Sequence, residues 1–426
     1  MNKSALLFAT ILALVSFRAR QAAAEIDIAE NHGWTLTTDG RINTFFSFSK
    51  GNGQPEGAPL WEGIEDRPTA RPPGSDNPGD IQNTRIRSGF IMSVLGFNLK
   101  KQLTSNVTVT GRVGMWLLAS ATRSKADNPP ADMREVYVKI DAPWGSVLAG
   151  RNLSLFGRGG ILLDNDIEHG YGLGHPCSVR TVSGGACGHA GYGLLFPGFN
   201  PAIVYSTPEV MGLQVSGGVY DPSIITTYQY EGTPYPRFEG ELTFKAPRYF
   251  HAFVDGYWQR LRKVTTVDGV NVDQIVDARG ISAGAGVTFG PVAVGLTGHT
   301  GQGMGLYTAL EDHPIVADAQ GVLRKFSGFL GLASLTLGDT RIAGGGGVTK
   351  VQKTQFDPPG PVADNVLLKQ QTGYSAGIYQ TINKTVIVAL EYFRAHFEWY
   401  DLMKETGPTT PTQTVNFINA GVTLIW

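Results

Sequence analysis

Val415-Asn-Phe-Ile-Asn-Ala-Gly-Val-Thr-Leu-Ile-Trp426 is the stretch whose reading decides the fold. Ile418, Ala420, Val422, Leu424 and Trp426 recur at period two, with Asn419 and Thr423 among the residues between them and Asn416 out of register near the start. Period two belongs to an extended strand whose two faces meet different surroundings. The same texture runs back through the chain. A second strand places Asn83, Arg85 and Arg87 on one face and Ile86, Phe90, Met92 and Val94 on the other. In a third, Thr108, Thr110 and Arg112 oppose Val107, Val109, Val113 and Met115. One apolar face and one face bearing arginines suit a soluble sandwich or a membrane barrel, and alternation alone does not separate them.

The start of the chain and the breaks between strands do separate them. Lys3 followed by the mostly apolar stretch Ala5 to Phe17, then Ala22 and Ala24 as a small-residue site, reads as a signal peptide cleaved before Glu25. Arg18 and Arg20 sit between that apolar core and the site. The stretch is shorter than the ~20 residues a spanning helix requires, and no later apolar run approaches that length. A membrane position is therefore open only to a closed barrel, because lipid offers backbone groups no other partner. Breaks alternate between short (Lys101–Asn106, Ala142–Gly145, Ala246–Tyr249, Gly290–Val292, Gly338–Thr340, Thr381–Thr385) and long (Lys50–Gln82, Asn152–Asn200, Asp221–Pro236, Thr300–Lys325, Val351–Gln370, Glu398–Gln413). Short periplasmic turns and long outer loops make that pattern.

The expected fold is all-β, a closed antiparallel transmembrane β-barrel over 25–426 behind a signal peptide at 1–24. The breaks give sixteen strands from Thr35–Phe48 to Val415–Trp426, with fourteen or eighteen left open because 200–300 is hard to divide. Trp34, Phe45, Phe46, Phe48, Tyr137, Trp144, Tyr249, Phe250, Tyr257, Trp258, Tyr392, Phe393, Phe397, Trp399, Tyr400 and Trp426 gather toward strand ends, as girdle aromatics do. Ordinary strand propensity enriches aromatics as well. Only 17% of residues are charged and no basic block occurs, which argues against nucleic-acid binding. No nucleophile, metalloprotease, phosphate-loop or dinucleotide motif stands in a credible setting, so neither an enzyme nor a cofactor is expected.

Several stretches resemble the Gram-negative general porin family. Trp34-Thr-Leu-Thr-Thr-Asp-Gly-Arg-Ile-Asn is similar to its first strand. Arg134-Glu-Val-Tyr-Val-Lys-Ile, then Trp144-Gly-Ser-Val-Leu-Ala-Gly-Arg-Asn, is similar to its fourth and fifth strands, and Gly373–Tyr392 to its penultimate hairpin. The resemblance implies an outer-membrane channel of a Gram-negative bacterium, surrounded by lipid, for passive diffusion of small hydrophilic solutes and ions. It also implies a homotrimer joined through the early strands and the last, with Trp426 as the terminal aromatic read by the barrel-assembly machinery. Gly150-Arg151 would lead into a third loop, about 152–200, folded into the lumen. Basic wall positions match Arg41, Arg85 or Arg87, and Arg134, facing loop acids that match Asp164, Asp166 and Glu168. Arg112 joins the basic wall from its own alternation. Arg134 is ambiguous by parity, since Val136 and Val138 share it.

Arginines facing carboxylates across a narrow lumen would set up a transverse field that favours small polar solutes. Local pairing of the arginines, and a solvated loop face for the acids, are the plainer readings. Cys177 and Cys187, the only cysteines, read first as a disulfide stiffening the loop. Metal binding by His175-Pro-Cys177 and Cys187-Gly-His189 is the rival, disfavoured by its one-residue spacing, and no metal is expected. A second function remains open: a barrel whose long third loop blocks the lumen and whose loops bind a ligand or partner.

Overall fold

The computed structural model describes residues 25–52, 80–119, 131–168, 170, 172–174, 186–225, 230–232, 235–246, 249–267, 270–310, 315–318, 320–357, 367–400, 402–404, 407–409 and 411–426. The expected signal peptide lies outside these residues. β1 (Ile26–Asn31) and β2 (Trp34–Asn52) form an opening hairpin. β3 (Ile81–Arg87) and β4 (Ser93–Thr104) share one place in the sheet, followed by β5 (Val107–Leu117), β6 (Asp132–Ala142) and β7 (Gly145–Leu153). Helix α1 (Arg158–Ile167) precedes β8 (Phe199–Ser206) and β9 (Leu213–Tyr220). β10 (Tyr230–Gly232) and β11 (Arg237–Ala246) again share a place. Then come β12 (Phe250–Val267), β13 (Val270–Phe289), β14 (Val292–Gln302), β15 (Lys325–Leu337), β16 (Thr340–Val351), β17 (Leu368–Ile382) and β18 (Val386–Trp399). A small hairpin, β19 (Leu402–Lys404) with β20 (Gly407–Thr409), precedes β21 (Thr412–Ile425).

β21 returns to β2 in antiparallel register, from Ile425 opposite Arg41 to Thr414 opposite Asn52, and closes an antiparallel barrel of sixteen strands. Closure leaves no sheet edge within the membrane band. Gly40 and Trp426 exchange both backbone hydrogen bonds, at 3.0 and 3.1 Å. Where β21 ends, β1 continues its line beside β2, with Ile26 opposite Thr38. The short connections fall at the end that carries Trp426, as the break lengths predict. Between β17 and β18 the turn needs positive φ at two adjacent residues, and Asn383 (50°) and Lys384 (60°) supply it.

Along most strands the outer face is aliphatic and aromatic, as in Ile418 (50% exposed), Val422 (43%) and Leu424 (40%). The second strand is not continuous. Between the pairs Phe45–Arg87 and Arg41–Val94, β2 has three residues (42–44) and its partner six (88–93). An odd surplus exchanges the two faces. Ile86 therefore stays outside while Phe90, Met92 and Val94 turn in, against the single apolar face that the alternation predicts. Asn43 holds the break: its Oδ1 accepts from Gly89 N at 2.7 Å and its Nδ2 donates to Ile91 O at 2.6 Å.

The aromatic girdle needs a second correction. Trp34, Phe46, Trp144, Tyr249, Phe250 and Tyr392 face outward, but Phe45, Tyr257, Phe393, Phe397 and Trp399 are buried inside the barrel. Tyr257, Phe393, Phe397 and Trp399, with Val415 and Phe417, belong to one cluster with Tyr192, Leu195, Leu306, Tyr307 and Val316 from the loops. That part of the lumen is thus filled as an ordinary protein core, because barrel wall and infolded loops both present apolar side chains there.

Candidate functional site: the loop folded into the lumen

The third loop leaves β7 after Leu153 and rejoins the wall at Phe199. Its neck is tied by Ser154 N donating to Gly198 O (3.0 Å) and by Asn200 Nδ2 donating to Ser154 Oγ (2.6 Å). The next amides meet acceptors on the inner wall. Leu155 N donates to the Tyr220 hydroxyl (3.2 Å), Phe156 N to Glu239 Oε2 (2.9 Å) and Gly157 N to Asp255 Oδ1 (3.0 Å). Arg158 Nε donates to Glu241 Oε1 at 3.1 Å. Gly157 gives α1 no side-chain cap, so wall carboxylates satisfy the free N–H groups and partial positive charge at its start. Burial works against the charge of the Arg158 guanidinium, and its bonds to Glu241 more than restore it.

One face of α1 lies on β12 to β15. A Cβ added to Gly159 would sit 2.2 Å from the Phe253 ring. Gly159→Leu is expected to lift α1 off this wall toward the open side of the lumen and lower single-channel conductance, measured in planar bilayers. An unchanged current would show that α1 does not border the passage.

Beyond α1 the loop crosses to the opposite wall. Arg341 donates to Asp166 O (3.0 Å), Arg41 to Gly170 O (2.5 Å) and Phe90 N to Gly172 O (2.8 Å). The Glu391 carboxylate accepts from Leu173 N (2.7 Å), Gly174 N (3.2 Å) and the Tyr379 hydroxyl (2.6 Å). Asn419 Nδ2 donates to Gly174 O at 2.8 Å. On the return, the His189 ring bridges Asp164 through Nδ1 (3.0 Å) and Ser375 Oγ through Nε2 (3.0 Å). Asp164, Glu168 and His189 are the one group among the described residues whose donor atoms, within 4.8 Å of one another, could hold a metal ion. The bonds drawn here make His189 a clasp between loop and wall.

Among the described residues, the side bounded by β6 to β9 is left open. A hollow of about 280 Å³ lies there, lined among others by Tyr137, Lys139, Asn152, Arg158, Gln214 and Tyr220. On the strands beside it, Arg112 reaches Asp39 (2.6 Å), Glu135 (3.1 Å) and Asn98 Oδ1 (2.8 Å). Lys139 pairs with Asp141 at 2.7 Å.

The expected basic-wall and acidic-loop residues fall at several different places in the barrel. Arg85 and Arg87 face inward, and Arg87 is 1% exposed. Arg41 buttresses the loop backbone. Arg134 is the extra residue of a bulge, where Gly114 faces Glu135 and Met115 faces Met133, so it turns inward despite its parity. There it bonds Asp132 (2.7 Å) and lies over the Trp116 ring (4.9 Å). Asp164 and Glu168 are buried away from the hollow, at 0% and 1% exposure, while Asp166 is exposed. On the strands beside the hollow the carboxylates are Asp39, Glu135 and Asp141, and the loop contributes a cation, Arg158, to its lining. Sequence reasoning missed Glu239, Glu241, Asp255 and Glu391. Their signal was inward parity, as where Glu239 and Glu241 alternate with the outward Phe238 and Leu242. Cys177 lies outside the described residues, and Cys187 packs against the apolar core.

Similarity to known proteins agrees with this architecture. The outer membrane channel DcaP of Acinetobacter baumannii matches with a TM-score of 0.62 at 10% identity, over 93% of this chain and 99% of that one. The anion-selective porin from Comamonas acidovorans matches at 0.56 and 13% identity, over 92% and 100%. The trimer form of OmpT of Vibrio cholerae matches at 0.53 and 13% identity, over 92% and 100%. By sequence, no curated protein matches the chain. A family model described as Gram-negative porin matches residues 9–398. A closed sixteen-stranded barrel with a loop crossing its lumen, matched over nearly its whole length, places this chain in the Gram-negative porin family, as a channel of the outer membrane.

Proposed function

We propose that small hydrophilic solutes and ions diffuse through the one-sided gap between the start of the third loop and the wall formed by β6 to β9. One observation carries this reading. Hydroxyl, amide and cationic groups (Tyr137, Lys139, Asn152, Arg158, Ser206 and Gln214) line it beside a smaller apolar set, whereas Tyr192, Phe393, Phe397 and Trp399 pack the lumen under the loop's return limb. Lys139, 38% exposed, and Arg158 from the loop face each other's side of the hollow, with Arg112, Asp39 and Glu135 setting the field beside it. Lys139→Glu is expected to shift the reversal potential in a salt gradient toward cations while leaving conductance steps in place. A reversal potential that does not move would place the passage elsewhere. A barrel that inserts yet gives no current would favour the blocked, ligand-binding reading.

Four further elements belong to the same proposal. Residues 1–24 act as a cleaved signal peptide, and Trp426, hydrogen-bonded to Gly40, serves as the assembly signal for the barrel machinery. Cys177 and Cys187 pair to stiffen the loop, which mass analysis with and without reductant tests. The functional unit is a homotrimer joined through the early strands and β21. Support comes from the trimer form recorded for the Vibrio cholerae relative and from the apolar outer faces of these strands, such as Ile42 and Phe46. Gel migration before and after heating tests it.

A further inference from the structure

We propose that Gly96 on β4 and Gly114 on β5 determine the selectivity of the channel, by forming a seat in the inner wall for two charged groups. The Arg112 guanidinium lies over Gly96 and the Glu135 carboxylate over Gly114; their effect on solutes rests on the passage proposed above. Four strands build the seat in one row. Asp39 on β2 lies opposite Gly96, Gly96 opposite Gly114, and Gly114 opposite Glu135 on β6. Across the wall the row reads acid, glycine, glycine, acid. Arg112, two residues before Gly114 on β5, points to the same face.

The fit is close at both glycines. A Cβ added to Gly96 would stand 2.8 and 2.9 Å from the terminal guanidinium nitrogens and 2.8 Å from Asp39 Oδ1. One added to Gly114 would stand 2.5 Å from Glu135 Oε2. At Gly111, on the other face of β5, an added Cβ would meet nothing within 4 Å. Glycine weakens a strand interior, and two facing glycines mark a place where something else approaches the backbone. Here the approaching groups are the ends of charged, flexible side chains. Alanine at either position therefore displaces a charge and leaves the strand pairing in place.

Seated over Gly96, the guanidinium forks to both acids. Nη1 donates to Asp39 Oδ2 (2.6 Å) and Asn98 Oδ1 (2.8 Å), and Nη2 to Asp39 Oδ1 (3.0 Å) and Glu135 Oε2 (3.2 Å). Nε lies 3.1 Å from Glu135 Oε1. A planar guanidinium holds two carboxylates this way only while nothing beneath lifts it or one of them. The seat thus decides which charge a passing ion meets first. Lifting the guanidinium brings the cation foremost, and lifting the Glu135 carboxylate brings the anion foremost. The nearer charge dominates because the interaction falls with distance.

The test records reversal potential in a salt gradient and single-channel conductance for the full chain in planar bilayers. Gly96→Ala, which alters no charge, should shift the reversal potential toward anions and lower the conductance. Gly114→Ala should shift it toward cations, and Gly111→Ala should leave both readings as in the wild type. In an Arg112→Ala background, Gly96→Ala should add no further shift, because the group it displaces is gone. Shifts of the same sign from Gly96→Ala and Gly114→Ala, or an equal shift from Gly111→Ala, would overturn the seat. So would a Gly96→Ala shift that persists without Arg112. A shift with Arg112→Ala and with neither glycine variant would overturn the seat and leave the passage standing. No shift with Arg112→Ala, Lys139→Glu or either glycine variant would overturn both.

Discussion

Joining Ser154 directly to Gly198, and so removing the loop between them, is expected to raise single-channel conductance severalfold. The two residues already meet through a backbone hydrogen bond of 3.0 Å, so the shortened connection requires no new geometry of β7 and β8. A barrel of sixteen strands is wide enough to leave an aqueous channel once nothing crosses it. The same excision should cost stability. Tyr192 packs against Phe393 (5.3 Å between ring centres) and Phe397 (6.1 Å), and the loop covers an inner wall that is apolar there. Each large side chain uncovered forfeits about 2 kcal/mol of burial. Greater current together with a lower temperature of heat-induced gel shift is the expected pair of results. Unchanged current would mean that other loops, and not the third, set the passage.

Arg112→Ala is expected to produce the largest selectivity change of any single substitution. Arg112 stands between Asp39 (2.6 Å) and Glu135 (3.1 Å), with its side chain 13% exposed. Removing it leaves two carboxylates facing each other with one cation fewer on the wall beside the hollow. The reversal potential in a salt gradient should move toward cations. The shift should shrink as ionic strength rises, because exposed charges are screened over about 10 Å at 0.1 M salt. Arg112→Lys should recover only part of the wild-type value, since an ammonium cannot fork to both acids as the guanidinium does. Recovery of none, or a shift toward anions, would show that the Arg112 cluster does not face the conducted ions.

Much of the barrel is legible in the chain because its physics is local. The alternation at Ile418, Val422 and Leu424, the short turns and the strand count all follow from period two and turn chemistry. Legibility ends where both faces of a strand are apolar. On β18, Val388, Leu390 and Tyr392 face lipid while Phe393, Phe397 and Trp399 face the lumen. Nothing in alternation says that loops arrive to cover the inner set. It also ends where pairing slips. The three surplus residues near Phe90 and the single one at Arg134 exchange faces through tertiary pairing that no single strand encodes. The inward direction of Arg85 and Arg87 was legible from alternation, but the partners of the loop acids were not. Asp164 and Glu168 face His189 at 3.0 and 4.0 Å rather than solvent, a partner distant in sequence and supplied by the loop's return limb.

The one-sided passage is tested most directly by placing a cysteine on each half of the inner wall and recording current while a charged, water-soluble thiol reagent is added. Ser206 lines the hollow and Ala343 lies 5% exposed beneath the loop. Stepwise conductance that falls on modification of Ser206→Cys and is untouched at Ala343→Cys is the predicted result. Loss of current at Ala343→Cys with none at Ser206→Cys, or a folded barrel that never conducts, would contradict it.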